Sequence, residues 1–242
     1  MELREDRVDI IIPCYETKDN KKLERLKESL KKFDPGYPYN LIVEDGKKPA
    51  IKHRNNALRK KSRSRYFIIC DDDIEFSKDG WLKEMRSVFD DFYKVGCVGV
   101  KVKLPGTNII SHAGTFIGSI PENLLYDPYL NHVIVVRSQG EEDIGQADII
   151  RSSFQVAGCC AMYDRLVCGY FAEMLYREHG GMDDLDYQAQ IIANGYRVYY
   201  NGFVTIYHHT EKDDVKKGRK YGLKTSFSMR NRLTYIRRWG LQ

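Results

Sequence analysis

Residues 71–73 are three consecutive aspartates, and they follow directly on the apolar run Tyr66-Phe67-Ile68-Ile69-Cys70. Aromatic and β-branched residues that stop abruptly at carboxylates read as a buried parallel strand ending where its sheet opens to solvent. Open α/β sheets bind ligands at that carboxyl edge. Asp71 and Asp73, alternating along an extended backbone, suit a hard divalent ion that holds phosphate oxygens. For an isolated triplet the alternative is a solvated acidic turn.

The triplet is not isolated. The run Val8–Pro13 leads into Cys14-Tyr15-Glu16, and Tyr39–Val43 leads into Glu44-Asp45-Gly46. Parallel strands bring all three endings to one edge, where carboxylates repel one another unless they meet donors or a cation. Asp45 can accept a hydrogen bond from the imide N–H of a nucleobase, Tyr15 can stack on its ring, and Asp71 or Asp73 can reach a diphosphate through a metal. A second acidic group, Asp183-Asp184-Leu185-Asp186, sits where a helix is expected to begin. Capping and the helix dipole account for Asp183, as N-cap, and for Asp186. Asp184 is left to face a cavity, where it could deprotonate an attacking hydroxyl. His208 and His209 end a late strand; their side chains point in opposite directions, so one at most joins the site. Imidazole beside carboxylates suits Mn2+.

The elements that must position these groups are legible as patterns. Leu23, Leu26, Leu30 and Phe33 mark an amphipathic helix over 20–33, and 50–61 forms a basic helix. A further helix carries Trp81, Met85, Val88 and Phe92, and a strand covers 97–103. This βαβαβ succession predicts a mostly parallel sheet flanked by helices. Segment 105–147, rich in Pro, Gly and Asn, holds short strands at 115–118 and 132–136. Helices are expected over 162–177 and 184–194, the latter closed by Gly195, and a strand over 197–207.

A chain of 242 residues with 42% apolar and 30% charged residues can bury one large core. No stretch approaches the ~20 apolar residues of a membrane span, and MELREDRVDI lacks a signal-peptide core, so a cytoplasmic location is expected. The six cysteines have neither zinc nor redox spacing and read as buried thiols. The first strand runs into PCYET without glycines, and no GxxxxGK[ST] occurs, which argues against hydride transfer and P-loop hydrolysis. Segment 47–65 carries nine Lys/Arg and no acid, and 212–238 carries ten against two acids. Such patches meet anions: a nucleotide diphosphate, a lipid surface or nucleic acid.

Taken in order, these motifs resemble those of family 2 glycosyltransferases with the GT-A fold, across roughly residues 7–210. The matching pieces are VDIIIPCYE, the Glu44-Asp45-Gly46 ending, Arg54-Asn55 before the metal strand, the acid-any-acid motif at Asp71 and Asp73, Val156-Ala157-Gly158-Cys159-Cys160, the Asp183-Asp184 pair followed by Asp186, and the strand ending in His208. The resemblance implies an α/β GT-A fold, a single mostly parallel central sheet with a smaller mixed subregion on the acceptor side. It implies a nucleotide-binding half at about 1–103, an acceptor-binding half at about 104–210, and a basic helical tail over 211–242. It assigns Pro13, Tyr15, Glu16, Asp45, Arg54, Asn55 and Asp71, Asp72 and Asp73 to the nucleotide-sugar, with Asp72 as the variable spacer. Asp71, Asp73 and His208 would hold Mn2+ or Mg2+. Gly158, Asp183 and Asp186 would line the acceptor, and Asp184 would be the general base of an inverting displacement. A UDP-sugar or dTDP-sugar fits Asp45 best, and the acceptor would be a glycan or lipid-linked saccharide.

Three other readings compete. A nucleotidyltransferase would need a glycine-rich, lysine-containing loop near 13–20, which PCYETKDNKK is not. A nucleic-acid-binding protein would explain the charge but not the acids ending three strands. The basic tail, with Phe227, Tyr235 and Trp239, could instead rest on an anionic membrane, and its Lys224 and Arg230 could clamp phosphate.

Overall fold

The computed structural model describes residues 3–15, 17–46, 49–119, 132–176, 182–209, 234–235 and 237–239. Glu16, residues 177–181 and most of the tail, including Lys224, Phe227 and Arg230, lie outside them. A strand β1 (Arg4–Cys14), helix α1 (Lys21–Lys32), strand β2 (Tyr39–Asp45), helix α2 (Ala50–Lys60) and strand β3 (Ser64–Cys70) open the chain. There follow β4 (Ile74–Phe76), α3 (Trp81–Asp91), β5 (Val95–Lys103), β6 (Ile110–His112), β7 (Thr115–Ser119), β8 (His132–Val136), β9 (Ile150–Ser153), β10 (Cys160–Asp164), α4 (Asp183–Ala193) and β11 (Arg197–His208).

The α/β fold has one central sheet ordered β2-β1-β3-β10-β5-β11-β4, with β6 beside β5 and β9 beside β11; β7 and β8 form a separate hairpin. Its long strands β1, β2, β3, β5 and β11 share a direction, and β10 runs antiparallel between β3 and β5. The sheet is therefore mixed. Side chains alternate faces along a strand, and each face has its own core. Ile10 and Ile12 pack with Leu23, Leu26 and Leu30 of α1 and with Trp81 and Met85 of α3. Ile11, Phe67 and Ile69 face Leu58 of α2 and Tyr187 and Ile191 of α4. Each fully buried Ile or Leu contributes about 1.5–3 kcal/mol, so both helix layers are bound to the sheet by apolar burial.

Residues 162–176, the described part of the helix expected over 162–177, are not helical. Cys160–Asp164 is a fully buried strand, and turns follow it. A short apolar run has no periodicity that separates strand from buried helix; its pairing with both β3 and β5 decides the matter. No helix among the described residues is long and apolar enough to cross a membrane.

Candidate active site at the carboxyl edge of the sheet

The register of β1 against β2 sets Cys14 beside Asp45. Asp45 is exposed and accepts a hydrogen bond of 2.7 Å from Thr17 Oγ1; Tyr15, next in sequence to Cys14, has 62% of its surface free, and Pro13 is half-buried. An open carboxylate with a solvent-facing aromatic nearby leaves room for a flat ring. Glu44, by contrast, is buried and paired with Lys61 at 2.8 Å.

The end of β3 builds a second group. Antiparallel pairing of β4 with β11 sets His208 against Ile74, which carries the imidazole to the aspartate turn. His208 Nε2 lies 3.0 Å from Asp73 Oδ1. One ligand atom from each of Asp71, Asp73 and His208 falls within 4.8 Å of the others. His209 points away and contacts Glu75 at 3.0 Å, so the alternation along β11 selects His208 for the site. Asp73 Oδ1 is buried with the His208 imidazole beside it, and a buried carboxylate oxygen favours a cation next to it. Two carboxylates and an imidazole are the donor set of a divalent ion such as Mn2+. The residues fit a metal.

Electrostatics separates the three acids. Burial raises the pKa of Asp71, opposed by Arg54 and reinforced by the charge of Asp73. Burial also pushes Asp73 upward, but contact with His208 outweighs it and leaves Asp73 below its ordinary value. For His208, burial disfavours the imidazolium, yet Asp73 and then Asp71 hold it above the usual histidine value. Asp72 turns elsewhere: its Oδ2 accepts from Asn20 Nδ2 at 2.8 Å and Cys14 Sγ at 3.3 Å. It is more than a spacer, tying the aspartate turn to β1 and to the start of α1, whose first amides Asn20 caps. An Asn immediately before an amphipathic run is an N-cap signal the sequence already carried.

The third group comes from the start of α4. Met182, with a φ of 73°, is the N-cap and Asp183 the first helical residue, so the expected capping role of Asp183 does not hold. A left-handed backbone at a non-glycine residue is sterically costly. Asp183 is buried and paired instead with Arg54 Nη1 at 2.5 Å, while Arg54 Nη2 stands 3.6 Å from Asp71. Arg54 thus lies buried between the metal group and α4 and counters both charges, a place different from the phosphate contact expected of it. Asn55 also departs from expectation. It is fully buried, donates to Phe171 O and Glu173 Oε1, and accepts from Phe171 N, which fastens segment 171–173.

Asp184 remains partly exposed and packs against the bare Cα of Gly158, where a Cβ would collide with its carboxylate. Burial, followed by the charge of Asp183, raises its pKa to about 6, although Arg54 pulls the other way. A carboxylate with a pKa near working pH is suited to general-base chemistry. Gly158 is held in place by the amide of Gln188, which exchanges hydrogen bonds with both the N–H and the C=O of Val156. Asp186 is not available to an acceptor. It is wholly buried and receives hydrogen bonds from Tyr176 Oη at 3.0 Å and Trp239 Nε1 at 2.8 Å, with Arg238 Nε at 3.1 Å. Tyr235 is buried too, its hydroxyl accepting from Gln155 Nε2. Trp239 and Arg238 of the tail thus dock on α4.

No family profile matches the chain, and no curated protein does. Solved structures do. A structure of GalNAc-T7 with UDP, GalNAc and Mn2+ aligns with a TM-score of 0.59 at 11% identity, over 85% of this chain and 44% of that one. S. aureus TarS aligns at 0.52 and 16% identity, over 87% of this chain and 38% of TarS. The fold is GT-A-like. A STIV protein aligns at 0.50 and 11% identity over 85% of this chain and 86% of its own. The chain spans less than half the length of the GalNAc-T7 and TarS chains. In this GT-A-like frame the Asp71, Asp73 and His208 group stands at the carboxyl edge of the sheet, with Asp184 across Arg54 from it.

Proposed function

We propose that the chain is an inverting, metal-dependent glycosyltransferase of family 2 type. It moves a sugar from a nucleoside-diphosphate sugar, with UDP or dTDP favoured, to a hydroxyl of a glycan or lipid-linked saccharide. The observation that carries this reading is the convergence of Asp71, Asp73 and His208 beside a carboxylate, Asp184, whose pKa is raised to about 6. The GalNAc-T7 structure, containing UDP, GalNAc and Mn2+, supports the choice of donor and metal.

In this mechanism Asp45 accepts the imide N–H of the base while Tyr15 covers its ring, which fixes one end of the donor. Asp71, Asp73 and His208 would hold Mn2+ or Mg2+, which when bound offsets the negative charge of the leaving diphosphate. Arg54 sets its guanidinium between Asp71 and Asp183 and counters the charge of each. Asp184 takes the proton of the acceptor hydroxyl as that oxygen attacks the anomeric carbon, and the bond to the diphosphate breaks on the opposite face. Gly158 leaves space for that carboxylate. Residues 1–103 would serve the donor and 104–210 the acceptor.

A panel of UDP-, dTDP- and GDP-sugars with and without Mn2+ tests the reading. One donor should bind in a metal-dependent manner and hydrolyse slowly without acceptor, and Asp73→Asn should lose both properties. Failure of every nucleotide-sugar to bind in Mn2+ would overturn it.

A further inference from the structure

At the far end of β11 from His208, a cavity of about 390 Å³ opens between the β7–β8 hairpin, β9 and the end of α4. Arg197 and His208 stand at opposite ends of β11, roughly 36 Å apart at ~3.3 Å per residue, so this cavity is separate from the metal group. Its walls include Phe116, Phe154, Ile192 and Tyr196, with Arg137 and Arg197 among them. Arg151 adjoins it, one residue before the lining Ser152 and Ser153.

No carboxylate among the described residues lies within ion-pair distance of Arg137, Arg151 or Arg197. The Nε atoms of Arg137 and Arg151 are buried and have no acceptor among the described residues. Burial and the neighbouring charge of Arg137 lower the pKa of Arg151, so the two guanidinium groups feel each other. Two like charges held together this way cost stability unless an anion neutralises them. Both are also fixed in orientation. Arg137 stacks over Phe116 at 4.4 Å and Arg151 over Tyr200 at 5.3 Å, while Arg151 Nη2 donates to Ala113 O at 3.0 Å. A stacked guanidinium keeps its planar edge of N–H donors for a bidentate oxyanion.

We propose that Arg137, Arg151 and Arg197 form an oxyanion-binding site for a phosphate group, with the apolar walls of the cavity receiving whatever body the phosphate carries. It is independent of the metal group and of the sugar-transfer reading.

The test is calorimetric titration of the full chain in EDTA, first with inorganic phosphate and then with phenyl phosphate. Saturable one-to-one binding is expected. It should weaken at least tenfold in Arg137→Gln and several-fold in Arg197→Gln, whose exposed side chain can be changed without disturbing the fold, and it should be unchanged in Asp73→Asn. Tighter binding of phenyl phosphate than of phosphate would identify a phosphomonoester with an apolar body; equal binding would identify free phosphate. No saturable binding of either anion, or binding untouched by both arginine changes, would overturn the proposal.

Discussion

Two sets of buried acids in this molecule have opposite fates. Asp9, in the middle of β1, accepts hydrogen bonds from Asn40 Nδ2, Ser62 Oγ and the N–H groups of Arg63 and Ser64, all within 2.9 Å. Burial pushes its pKa up, but those donors outweigh burial and hold it below the ordinary value. Asp71 and Asp184 are also desolvated, yet their pKa values stay raised, and Asp73, pushed up by burial, is held below its ordinary value chiefly by the His208 imidazole. The difference teaches where chemistry can occur. A carboxylate whose acceptor capacity is filled by its own fold is locked; one left short retains affinity for a proton or a cation.

The largest break in this comparison should come from Asp184→Asn. Transfer should fall by about 10²–10⁴-fold, while metal-dependent donor binding stays near normal, as donor titration and turnover on one preparation would show. Asp73→Asn should weaken Mn2+ binding by at least ten-fold and abolish the metal-induced rise in Tm. Gly158→Ala should lower turnover next, because its Cβ displaces the Asp184 carboxylate; about 1–3 kcal/mol of stability should go with it, seen as a lower denaturation midpoint. The pH profile sharpens the contrast without any mutation. With Asp184 near 6, the rate should fall roughly tenfold per pH unit below that value and level off above it, and a profile flat from pH 5 to 8 would remove Asp184 from the role of base. The smallest effect on rate belongs to Asp9→Ala. It should leave turnover unchanged at low temperature, yet cost about 1–3 kcal/mol of stability by stranding four donors. Because Asp9 has a depressed pKa, its stabilisation is full above its unfolded value near 3.8 and is lost as pH falls through its folded value.

How much of this was readable beforehand depends on the range of the interaction. Periodicity placed α1, α2 and α3 and the strands β1, β2, β3 and β5 within a few residues, since apolar spacing within one element reports its own face. The pattern failed at 162–177, where β10 takes its identity from neighbours about 60 and 90 residues away in sequence. The site divides in the same way. Asp71 and Asp73 stood out because carboxylates end an apolar strand. Asp186 and Asn55 carried equal promise by residue type, but one anchors the tail and the other fastens a loop, and no local signal distinguishes an acid that faces a cavity from one that faces Trp239.

By itself the sequence determined the alternating layers and the edge to which the acids come, because these follow from side-chain period; Asp183 is set apart from Asp184 by its tertiary pairing with Arg54, not by capping. Tertiary structure alone decided that His208 and not His209 meets Asp73, that Arg54 stands between the acid groups, and that Gly158 makes room for Asp184. Each of those depends on strand register or on the close approach of segments distant in sequence. Such distances are set by how two faces pack, and a single strand or helix holds no record of its partner.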